Sequence, residues 1–154
     1  MDTSAWGRLP GDGAAAAQVQ AILDADPGSE LVLSPVIALE LLRGPRGPGV
    51  ATQRRRLEDA YLVLSMDGET FRLAAAATEA LAAHEHTAHR VPIPDLLTAA
   101  LAHQHGCGVV HCDDHYELLS RHAGLTFPTL QLDLGTSATS PPPTARQRAA
   151  RRGD

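Results

Sequence analysis

The sequence predicts an α/β sandwich built around a mostly parallel sheet, in one domain of residues 1–134. Two observations carry that expectation. Short apolar runs of strand length, at 31–33, 61–65, 108–112 and 129–132, alternate with longer segments of helical periodicity. And 154 residues with 44% hydrophobic content suffice to bury one core but not two comfortable ones.

Taken in order, the opening Met1-Asp2-Thr3-Ser4 places an acid and two hydroxyl residues ahead of any regular element. From Asp12 the alanine-rich stretch predicts a helix with Asp12 as its cap and Pro27-Gly28 as its stop. The run 31–33 predicts a buried strand. Ser34-Pro35 then supplies an N-cap with proline at the first helical position, and the helix ends before Gly44-Pro45. A helix over 50–60 and a second buried strand over 61–65 follow. Asp67 is placed to cap the long helix 68–86. Pro92 and Pro94 lead into a helix over 95–105 that Gly106 closes. A strand at 108–112, a helix at 114–122 and a last strand at 129–132 complete the domain. The tail, 135–154, is rich in Ser, Thr, Pro and Arg without apolar periodicity, and predicts a disordered basic segment.

Composition removes several function classes. All 13 basic residues are arginine, so a P-loop lysine, Schiff-base chemistry and lysine-requiring phosphoacceptor folds are excluded. The net charge is −5; the tail carries four Arg and one Asp, leaving −8 on residues 1–134. An acidic body argues against a generic basic nucleic-acid surface and for cation binding or a local basic patch. Two cysteines, Cys107 and Cys112, are too few for a disulfide framework. With no leader pattern and no bilayer-length apolar run, the chain reads as reduced and cytoplasmic, with no membrane role.

Four acids need explaining. Glu40 shares a helix face with Ile37 and Leu41, where an unpaired carboxylate costs several kcal/mol. It faces a cation, or an arginine such as Arg43 or Arg90. Asp95 lies in a first helical turn and Asp113-Asp114 follow a strand, so capping explains each alone. Asp2 alone reads as a terminal acid. Together Asp2, Glu40, Asp95 and Asp113 are able to converge at one end of a parallel sheet, where ligands collect, and hard oxygen donors of this kind suit Mg²⁺ or Mn²⁺.

The segments DTSAW (2–6), SPVIALELLRG (34–44), VPIPDLLTAALA (91–102) and VVHCDDHYELLS (109–120) resemble the PIN-domain ribonucleases, specifically the VapC-type toxins of toxin–antitoxin modules. The likeness spans residues 1 to about 133 in the family's order and spacing. It implies a three-layer α/β/α sandwich and a metal-dependent endoribonuclease whose acids correspond to Asp2, Glu40, Asp95 and Asp113, with Asp2, Asp95 and Asp113 on the metal. Ser4 and Asp114 stand in supporting positions. It also implies a cognate VapB-like antitoxin that inserts a basic side chain among the acids, a homodimer within that complex, and products with 5′-phosphate and 3′-hydroxyl ends. The chain departs from the family twice. Only Met1 precedes the first acid, which predicts a truncated central strand or a start further upstream. His115 stands where the family often has a second acid.

Arg43, Arg46, Arg54, Arg55 and Arg56 lie within 43–57 with no acid among them, and read either as a solvated basic surface or as an arm for RNA phosphates. His84, His86 and His89 read as a solvated helix terminus rather than a zinc site, and the cysteines as small core residues. The alternatives to a ribonuclease are a catalytically impaired module that binds RNA or protein, and a metal nuclease directed at DNA.

Overall fold

The computed structural model describes residues 1–9, 11–84 and 90–133. Their elements run α1 (Thr3–Arg8), α2 (Gly13–Ala25), β1 (Val32–Leu33), α3 (Pro35–Leu41), α4 (Pro48–Ala60), β2 (Leu62–Val63), α5 (Gly68–His84), α6 (Ile93–His105), β3 (Val109–His111), α7 (His115–His122) and β4 (Thr129–Gln131). The proposed tail and the end of the 68–86 helix lie outside the described residues.

Ser34 holds the N-cap position of α3 but makes no side-chain cap bond, its hydroxyl lying 3.3 Å from that of Thr98; other local signals operate as expected. Asp12 accepts from the backbone N–H groups of Ala14 and Ala15 at 2.9 and 3.2 Å, satisfying two of the free donors at the start of α2. Asp67 does the same for Glu69 and Thr70 ahead of α5. Gly106 closes α6 at φ 66°, a left-handed conformation that a Cβ would disfavour.

Three expectations are corrected. The first helix forms at once, at Thr3, because Asp2 takes an extended conformation and caps it. The strand at 62–63 is not buried: Leu62 and Val63 are 60% and 37% exposed, since β2 pairs β1 at an edge. The strands form two parallel pairs, β1 with β2 and β3 with β4, in place of one continuous sheet.

The largest core fills the space among α5, α6 and α7 with Ala77, Leu81, Ala99, Tyr116 and Leu119, each at most 1% exposed. The alanines let α5 and α6 approach closely, and Tyr116 supplies the bulk. A second cluster joins Met1, Ala5, Val19, Val110 and Leu132, and a third packs Leu33, Ile37 and Leu57. Met1 therefore sits inside the molecule, in front of β3. The Asp2 N–H donates to the Val110 carbonyl at 2.8 Å. Below Met1 a cleft of about 520 Å³ separates Leu31 and Val32, at the start of β1, from Cys107 and Gly108, at the start of β3. Val109 donates to Pro128 and His111 accepts from Leu132 on the β4 side, while strand alternation turns the Val110 carbonyl to Asp2.

Candidate active site

Three chain segments meet at the acids: the turn into α1, the first turn of α6 and the turn from β3 into α7. Asp2 is only 5% exposed. Its carboxylate accepts from the Ser4 N–H at 3.2 Å, from the Ser4 hydroxyl, and from the Tyr116 hydroxyl at 3.3 Å. Those three donors compensate much of the desolvation that burial imposes on a charge. Ser4 Oγ also accepts from the Cys112 N–H at 3.3 Å, tying Asp2 to the end of β3. Burial, and then the charges of Asp2 and Asp95, push the Tyr116 phenol well above its ordinary value, so it remains a donor.

Asp95 enters from the first turn of α6, where exposed N–H groups and the macrodipole favour an acid. Its side chain is 15% exposed, and its Oδ2 lies 3.0 Å from His115 Nδ1. Burial, then the charge of Asp2, push this carboxyl up to about 6 against the opposing pull of His115; Asp113 adds a smaller push upward. Asp113, with a side chain 45% exposed, accepts from the His115 N–H at 3.0 Å, and the same oxygen lies 3.0 Å from His115 Nδ1. Asp114 holds the backbone N-cap position of α7 without a side-chain cap bond. It accepts instead from Gln131 Nε2 at 3.3 Å, turned toward β4.

Glu40 is half-buried on α3 and accepts from the Thr3 hydroxyl. A hydroxyl takes the place foreseen for Arg43 or Arg90, and it anchors Glu40 one residue from Asp2. The structure therefore brings Asp2 and Asp113 each within electrostatic reach of Asp95, and links Glu40 to the chain beside Asp2 through Thr3.

The PIN-domain family profile matches residues 1–123. The chain belongs to the PIN-domain family. Relatives of this PIN domain include the "VapC ribonuclease Mb1587" of Mycobacterium bovis and the "Ribonuclease VapC11" of Mycobacterium tuberculosis. Each is 32% identical over 129 residues, spanning 81% of this chain and 93% of the relative.

The PIN domain's donor set fits a divalent cation. Asp95, Asp113 and His115 each offer one ligand atom, and the three atoms lie within 4.8 Å of one another. Carboxylate oxygens with one imidazole nitrogen are donors that such ions accept. Sequence reasoning treated His115 as an intrusion on an acidic motif and missed that it faces both acids. The available signal was its place two residues after Asp113 at a helix start, where its ring turns back over the capping acid. Thr3 and Tyr116 were also missed; their neighbours in space lie 37 and 114 residues away in sequence.

Arg43, Arg46, Arg54, Arg55 and Arg56 are all exposed, on the α3–α4 connection and on α4. Arg54 is paired with Glu58 at 2.7 Å, just beyond the acid-free stretch. His84 stacks on His122 with centroids 3.9 Å apart, while His86 and His89 lie outside the described residues. Cys107 and Cys112 are half-buried free thiols packed against two different core clusters. Among the described residues no helix is long and apolar enough to cross a membrane.

Proposed function

We propose that this chain is a VapC-type toxin, a metal-dependent endoribonuclease that acts in the cytoplasm and hydrolyses RNA phosphodiesters to 5′-phosphate and 3′-hydroxyl ends. The observation that carries this reading is Asp95: a largely buried carboxyl raised to about 6 beside Asp2 and Asp113, an arrangement that a cation relieves. The ribonuclease names of its relatives support the substrate class.

In this reading Asp2, Asp95 and Asp113 hold Mg²⁺ or Mn²⁺. When bound, the ion lowers the pKa of a water and offsets charge on the leaving 3′ oxygen. Ser4 and Tyr116 fix the Asp2 carboxylate, so its oxygens meet the site in one orientation. Glu40, anchored by Thr3, positions the attacking water and takes up its proton. Asp114 holds the start of α7 against β4. Arg43, Arg46, Arg54, Arg55 and Arg56 contact RNA phosphates along the substrate path.

The working unit in this reading is a nuclease domain of residues 1–134 with the three-layer α/β/α sandwich of the family, its middle layer made of the two parallel strand pairs. Its partners are RNA, a second copy of the chain, and a VapB-like antitoxin that sets a basic side chain among the carboxylates.

The test is cleavage of a 5′-labelled RNA with Mg²⁺ or Mn²⁺ and with EDTA. Cleavage should require the metal, leave 5′-phosphate and 3′-hydroxyl ends, and vanish in Asp2→Asn and Asp95→Asn. Products ending in 2′,3′-cyclic phosphate, or cleavage that persists in EDTA, would overturn the mechanism. Suppression by the co-expressed small partner tests the antitoxin.

A further inference from the structure

We infer that His115 is itself a metal ligand, through Nδ1, and that it turns this site from an all-oxygen Mg²⁺ site into a mixed nitrogen–oxygen site that prefers Mn²⁺ and later first-row divalent ions. The inference rests on the metal-site reading above and narrows it to one residue and one class of ion.

The geometry is specific. His115 Nδ1 lies 3.0 Å from Asp95 Oδ2 and 3.0 Å from Asp113 Oδ1. Neighbouring donors of an octahedral ion with bonds of about 2.1 Å stand roughly 3.0 Å apart. The imidazole nitrogen is therefore already at edge distance from both carboxylate oxygens. The same separations suit a hydrogen bond from Nδ1–H, so ligation uses the tautomer that carries its hydrogen on Nε2.

The ring is held there by the fold. Asp113 Oδ1 accepts the His115 backbone N–H at 3.0 Å, fixing the start of α7 against the turn from β3. Tyr116, the next residue, is fully buried and bonded to Asp2. With the backbone pinned on both sides, the side chain projects over the acids at 38% exposure, open to an ion arriving from solvent.

Selectivity follows from ligand chemistry. Mg²⁺ favours oxygen donors and gives up its waters reluctantly, while imidazole suits the first-row transition ions. Replacing one oxygen donor by an imidazole nitrogen weakens the first and strengthens the second.

The experiment measures ion binding on the intact chain, independently of RNA cleavage. Isothermal titration with Mn²⁺ and Mg²⁺ is run on the wild type, His115→Asp, His115→Ala and Asp95→Asn, with pulsed EPR of the bound Mn²⁺. The wild type should bind Mn²⁺ at least about tenfold more tightly than Mg²⁺, and its Mn²⁺ signal should carry ¹⁴N coupling from the imidazole. His115→Asp should abolish that coupling and collapse the Mn²⁺/Mg²⁺ ratio. His115→Ala should weaken Mn²⁺ more than Mg²⁺, and circular dichroism of each variant checks folding. Mn²⁺ that binds in the wild type and is lost in Asp95→Asn, but shows no ¹⁴N coupling, would overturn the role of His115 and leave the metal site standing. No Mn²⁺ or Mg²⁺ binding in the wild type would overturn both.

Discussion

Replacing Asp95 with Asn should stabilise the metal-free protein while abolishing its response to metal. Folding raises the Asp95 carboxyl from 3.8 to about 6, so between those values the folded chain binds more protons than the unfolded one. Stability from this group is complete below about pH 4 and falls as the pH rises toward 6. At ~1.4 kcal/mol per pH unit the full rise amounts to ~3 kcal/mol. Screening through the solvent-facing side of the cluster, where Asp113 is 45% exposed, reduces it to ~1–2 kcal/mol. Urea unfolding in EDTA at pH 7.5 should therefore find Asp95→Asn more stable by about that amount, with the gain shrinking toward pH 4. Adding Mn²⁺ at 100 times its dissociation constant should stabilise the wild type by ~2.7 kcal/mol and the variant hardly at all. An Asn variant that is less stable in EDTA at pH 7.5, or that gains from Mn²⁺ as the wild type does, would refute the reasoning.

Tyr116→Phe removes the hydroxyl that donates to Asp2 at 3.3 Å. It should cost ~0.5–1.5 kcal/mol in urea unfolding and lower RNA cleavage further than that loss of stability explains. The triple change Arg54→Ala, Arg55→Ala and Arg56→Ala should weaken RNA binding and flatten its salt dependence by up to ~3 phosphate contacts, read by filter binding across a salt series. Because Arg54 already pairs with Glu58, a smaller change in slope is expected from Arg54→Ala alone than from Arg55→Ala. Asp12→Ala, at the start of α2 and bonded to none of the site acids, should cost ~1 kcal/mol through the α2 cap and leave the cleavage rate of the folded protein unchanged.

Helix boundaries were legible where a single residue type decides them. Asp12, Asp67 and Gly106 each shape a helix end within four residues of their own position, so a linear reading finds them. The sheet was less legible, because runs such as 61–65 announce apolar character but not which edge they occupy; β2 turned out exposed. At the site, the acids stood out as charges in apolar or capping contexts. Their partners did not, because Thr3 and Tyr116 reach Glu40 and Asp2 across 37 and 114 residues. His115 was legible only as a departure from a motif. Its meaning came from where the cap on α7 aims the ring.

The cleft beneath Met1 bears on how the protein is handled in the laboratory. The α-amino group is buried, which pulls it below its ordinary value, and the next residue carries the Asp2 carboxylate. Anything fused ahead of Met1 would begin beside the crevice that Met1, Val32 and Gly108 line. An affinity tag there would replace that buried amine with a peptide bond directly beside Asp2. Recombinant protein prepared with its handle at the C-terminus should therefore keep an intact site, whereas N-terminally tagged material risks reporting on the tag.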